Sequence, residues 1–80
     1  MTRIRRIITT NSHLARNQMI AEIHAHWNEI EQLAVSRAEG QGQREYGNQI
    51  FSKPPSMLRR DRFEEYADAL VYFQVQHEQE

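Results

Sequence analysis

Carboxylates recur at helical intervals in two parts of this sequence. Asp61, Glu65, Asp68 and Tyr72 stand at i, i+4, i+7 and i+11, one stripe on a helix. Glu22, His26 and Glu29 make a matching stripe upstream. Antiparallel packing of the two helices would gather Glu22, His26, Glu29, Glu65 and Asp68 into a cluster of oxygens with one imidazole. Such a set suits Mg²⁺ or Mn²⁺, which take oxygen ligands in near-octahedral geometry. A cation there could carry a nucleotide's phosphates and polarise an attacking water. The alternative, which we prefer for Glu64 to Asp68, is a solvated face. These residues border an aromatic stripe, and the flanks of a core stripe are normally polar.

The run Glu64-Glu65-Tyr66-Ala67-Asp68, with Arg44-Glu45-Tyr46-Gly47 before it and Ala69 to Phe73 after it, resembles part of a known family. It is similar to the C-terminal half of the MazG-like all-α nucleoside triphosphate pyrophosphohydrolases, over about residues 37–73. In that family a helix bearing Glu-x-x-Glu faces a later helix bearing Glu-x-x-Asp, and the four carboxylates bind magnesium. The resemblance implies that Glu65-Tyr66-Ala67-Asp68 is the second element. In place of the first, this chain has His26-Trp27-Asn28-Glu29, with histidine for the leading glutamate and a longer gap to the second element. A nucleotide pyrophosphohydrolase, active or degenerate, is what the resemblance implies.

Other chemistries find less in the residues. His24 and His26 lie two apart on a helix and so point to different faces, where they cannot chelate one ion together. Zinc would want a further His or Cys at suitable spacing, and all four histidines read as surface or seam residues. There is no cysteine, and Ser12, Ser36, Ser52 and Ser56 fall in caps, a helix end and loops without triad spacing. Gly40-Gln41-Gly42 lacks the preceding strand and the Gly-Lys-Ser/Thr of a phosphate loop. Arg59, Arg60 and Arg62, with Tyr46 across the loop, are the candidate contacts for a phosphorylated ligand or an acidic partner surface. Arg3, Arg5, Arg6 and Arg16 could contact phosphates in a nucleic-acid-binding dimer, although a net charge of −1 supplies no long-range attraction to DNA.

These side chains need elements to hold them. Ile20, Ile23, Trp27, Ile30 and Ala34 follow 3-4-3-4 spacing, the seam one helix offers another. Thr10, Asn11 and Ser12 can cap its start, and Gly40 stands where a left-handed cap would end it, so the spacing predicts helix one over 12–39. Phe63, Tyr66, Leu70, Phe73 and His77 repeat the pattern. That places helix two at 56–77, with Ser56 as its cap. Between them, residues 40–56 form a connection punctuated by Gly40, Gly42, Gly47, Pro54 and Pro55, with a helical turn expected over Gln43 to Phe51. Residues 1–10 could be a short strand, a pairing arm or a leader.

Size bounds the rest. A chain of 80 residues buries only roughly 60% of its unfolded surface. With no cysteine and 39% apolar residues, it has no staple, and such scaffolds commonly oligomerise. No apolar run reaches the ~18 residues of a membrane span, and no signal peptide pattern is present. The expected fold is an all-α antiparallel helical hairpin dimerising into a four-helix bundle. The expected function is that of a small cytoplasmic binding protein, a regulator or inhibitor of the kind phages and plasmids encode, with no catalytic residue and no cofactor. Its expected partners are a second copy and another protein. A nucleotide or nucleic acid is the alternative, and Mg²⁺ or Mn²⁺ belongs only to the pyrophosphohydrolase reading.

Overall fold

The computed structural model describes residues 2–40 and 48–79, and every regular element among them is a helix. In chain order these are α1 (Arg3–Thr10), α2 (Ser12–Ala25), α3 (Trp27–Glu39), α4 (Asn48–Ser52) and α5 (Pro55–Gln79). The all-α class therefore stands. None of the five is long and apolar enough to cross a membrane.

Residues 3–10 are helical despite their β-branched content. The Thr2 hydroxyl accepts the Arg5 N–H at 3.2 Å and caps the first turn. Thr9 and Thr10 donate their hydroxyls to the Arg5 and Arg6 carbonyls, at 2.9 and 2.6 Å, so both are satisfied within the helix. Ile4, Ile7 and Ile8 then share one face, with Ile7 and Ile8 half-buried.

Instead of one helix over 12–39, the chain bends at His26 (φ −118°, ψ 27°) into α2 and α3. Backbone bonds from His26 N–H to the Glu22 carbonyl and from Ile30 N–H to the His26 carbonyl, each 3.0 Å, carry on through the joint. It is a kink rather than a loop. No proline or glycine forces it. His24, His26, Trp27 and Asn28 are all weak helix formers, and no substantial packing of α3 on α5 holds the joint straight.

The two expected caps are also built differently. Gly40 N–H bonds the Ser36 carbonyl at 2.9 Å, but its φ of −101° is not left-handed. The glycine is needed for space: a Cβ there would lie 2.9 Å from the Ser36 carbonyl oxygen. α5 starts at Pro55, because proline's fixed φ and missing N–H suit the first helical position. The Pro54 carbonyl accepts from Met57 and Leu58 N–H at 3.0 and 3.2 Å, so Ser56 lies inside the first turn.

At 25 residues, α5 is about 37 Å long and forms the spine of a molecule 40 Å in its longest extent. α1 and α2 pack on it, and Ile7, Leu14 and Ala15 close a small cleft with Phe73 and Gln74 near its C-terminal end. α3 touches α2 but makes no substantial contact with α5. Among the described residues only Ala15 and Gln74 are buried. The radius of gyration is 15.1 Å, against about 12 Å for a compact chain of this length. The 9.5 kDa chain exposes 7394 Å², where a compact monomer would expose roughly 5,000 Å².

Candidate interaction surface

The opening turns of α5 carry side chains that the C-terminal turns do not. Arg59, Arg62, Phe63 and Tyr66 follow i, i+3, i+4, i+7 spacing and so share one face. The Arg59 guanidinium lies 5.0 Å and that of Arg62 5.9 Å from the centre of the Phe63 ring. Both are within cation–π range. Phe63 and Tyr66 follow each other at 6.1 Å between centroids, tilted by 34°. Phe63 is 50% and Tyr66 59% exposed, so the two arginines rest on a ring that keeps half of its residue's surface open. Beside them runs an open groove of about 800 Å³ whose lining includes Pro54, Met57, Arg60 and Ala67. On a helical wheel this groove continues, through Leu70, the face that carries Gln74 into the cleft with α1 and α2. One strip of α5 is thus covered at one end and open at the other.

The open end is electropositive. Its first turn holds no acidic residue, and the partial positive charge of the helix N-terminus adds to Arg59, Arg60 and Arg62. Arg60 Nε is 3.4 Å from Glu64 Oε1, an exposed i,i+4 pair, and such pairs contribute only a few tenths of a kcal/mol. Lys53 Nζ reaches Asp61 Oδ2 at 3.0 Å and ties the turn after α4 to α5. Arg59 and Arg62 have no carboxylate partner among the described residues. Tyr46, expected to face them across the loop, lies outside the described residues.

The helix-one seam is uncovered as well. Ile20, Ile23 and Trp27 are 49%, 41% and 55% exposed, and Leu33 beside them 58%. Ile30, Leu70 and Phe73 are half-buried. The Phe73 and His77 rings meet at 4.4 Å between centroids, tilted by 49°, which places that histidine beside the seam.

The two acidic stripes stay apart. His26 Nδ1 and Glu29 Oε2 are 3.4 Å apart, a charged pair when the imidazole is protonated, with both side chains mostly in solvent. Glu22 lies on α2, across the bend from Glu29. Glu65 and Asp68 are exposed on α5, and Glu65 lines a cleft with Lys53, Leu58 and Asp61. Among the described residues no three His, Cys, Asp or Glu side chains are placed to hold a metal ion.

Two residues of this region carried no signal in the sequence. Lys53 pairs with a residue eight positions on, across two prolines, where no helical periodicity applies. Gln74 falls between seam residues and reads as a polar flank, yet both its amide atoms are buried without a hydrogen-bond partner among the described residues. No family model, curated protein or solved structure matches the chain.

Proposed function

We propose that this chain is a small all-α binding protein that works as a homo-oligomer through its surfaces, as a regulator or inhibitor of another protein. The observation that carries this reading is the inverted distribution of apolar side chains. Trp27, Leu33, Phe63 and Tyr66 each keep half or more of their surface in water, while the only apolar side chain buried among the described residues is Ala15. Trp, Tyr and Arg are the residues that dominate binding energy at protein interfaces. They are concentrated here on two helix faces instead of inside a core. No residue is given a catalytic role, and no cofactor is required.

The test is the mass in solution. Light scattering at micromolar concentration is expected to give at least a dimer, and the unfolding midpoint is expected to rise with protein concentration. A monomer with a concentration-independent midpoint would refute the reading.

A further inference from the structure

We propose that the open face of α5 is the seat for α3 of a second copy of this chain, in a two-fold dimer in which each α3 lies parallel to the other copy's α5. The inference rests on the oligomeric reading above and adds the occupant, the orientation and the residues. Three observations carry it.

First, the chain contains two uncovered apolar faces of similar length. One is Trp27 and Leu33 on α3, with half-buried Ile30 between them; the other is Phe63, Tyr66 and Ala67 on α5. A two-fold dimer uses both at once, because an isologous interface makes each contact twice.

Second, the area is sufficient. Trp27, Leu33, Phe63 and Tyr66 are 55%, 58%, 50% and 59% exposed. A fully buried aromatic covers about 150–250 Å², so covering these four on both copies removes on the order of 1,000 Å², the lower bound of a specific interface.

Third, the charges are ordered along the helices. Along α3, Glu29 and Glu31 come first and Arg37 follows about two turns later, with Glu39 at the helix end. Along α5, Arg59, Arg60 and Arg62 come first, with Asp61 among them paired to Lys53, and Glu64, Glu65 and Asp68 follow. Parallel packing sets Glu29 and Glu31 against the arginines, and Arg37 against the carboxylates. Antiparallel packing, the arrangement a hairpin would impose within one chain, sets Glu29 and Glu31 against the carboxylates and Arg37 against the arginines, with only the terminal Glu39 matched to them. The same pattern accounts for the absence of substantial contact between α3 and the α5 of its own chain. A two-fold axis perpendicular to the helices reverses their relative sense, so a second copy can offer what the chain cannot offer itself.

The test is charge reversal with complementation. Glu29→Arg/Glu31→Arg and Arg59→Glu/Arg62→Glu are each expected to weaken self-association at least tenfold, read by sedimentation or light scattering. Mixing the two variants is expected to restore it, since every contact in the mixed dimer again pairs opposite charges. If either variant alone loses helicity, its recovery in the mixture by circular dichroism is the same readout. Unchanged oligomers in both variants, or no recovery on mixing, overturn the proposal while leaving the oligomeric reading in place. A wild type that stays monomeric overturns both and leaves the face to a different protein. The chain has no cysteine, so orientation can be read by cross-linking. Glu31→Cys chains are expected to form a disulfide with Arg62→Cys chains faster than with Asp68→Cys chains, and the reverse order overturns the parallel arrangement.

Discussion

At the scale of single residues, the carboxylates of α5 are distinguished by their isolation from those of α2 and α3. Glu65 and Asp68 stand in solvent on one helix, and Glu22, His26 and Glu29 stand on others that make no cluster with them. A ligand set would carry repulsion in the empty site, and removing one charge would relieve it. A solvated face has no such repulsion to relieve. We therefore expect Glu65→Gln and Asp68→Asn each to shift stability by less than ~0.5 kcal/mol. Thermal melts with and without about 5 mM MnCl₂ are expected to be superimposable for wild type and both variants. If that concentration were a hundred times a dissociation constant, binding would add about 2.7 kcal/mol, which a melt detects. A manganese-dependent rise in the wild type alone would establish a site and favour the pyrophosphohydrolase reading. The stripes themselves were legible in the sequence, because helical spacing alone puts Asp61, Glu65 and Asp68 on one face. Whether two stripes meet was not legible, since that depends on the path of the chain between them.

At the scale of elements, the junction of α1, α2 and α5 is the nearest this chain comes to a core, and it contains a flaw. Gln74 is 7% exposed and neither end of its amide is hydrogen-bonded among the described residues. A buried polar group left unpaired costs about 1–3 kcal/mol, whereas an apolar group of similar shape in its place can be neutral or stabilising. Gln74→Leu is accordingly expected to stabilise the protein by ~1 kcal/mol or more, measured by denaturant titration. A loss of stability would mean that the amide finds a partner in the assembled protein. The surrounding cleft is lined by Ile7, Leu14, Ala15 and Phe73 together with Asn11, Gln18, His77 and Glu78, so an isobutyl group has apolar neighbours within reach beside polar ones. The kink at His26 belongs to this scale too. It lets α2 stay with α5 while α3 leaves, and weak helix formers there allow the departure without a break in the backbone bonds.

At the scale of the whole molecule, a 15.1 Å radius and a 7394 Å² surface describe a chain that has settled its helices but not its core. Stability of such a chain is inseparable from its concentration if partners supply the missing burial. Trp27→Ala distinguishes the two cases sharply. In an isolated monomer the side chain is 55% exposed, and its loss would approach the small effects of a surface change. In an assembly that covers it, the loss is expected to reach ~3–5 kcal/mol. Measured across a hundredfold range of protein concentration, the variant's deficit is expected to be large where wild type is assembled and to shrink on dilution. A deficit that is small at every concentration would mean that α3 is not part of an interface.

By itself the sequence determined the class of every long element and most of their limits. Helical periodicity over Ile20 to Ala34 and over Phe63 to His77, and prolines at 54 and 55, act through contacts a few residues apart. The chain carries those wherever it goes. The tertiary structure alone decided three things. It selected a helix for residues 3–10, whose local bonds allow it, because α1 packs on α5 with Ile7 in the cleft between them. It bent the long helix at His26, where no opposing surface kept it straight. And it left the face of Arg59, Phe63 and Tyr66 open, because α3 follows the bend at His26 and makes no substantial contact with α5. Each depends on which surface meets which across tens of residues. Periodicity shows that a helix has an apolar face, but only packing determines what covers it.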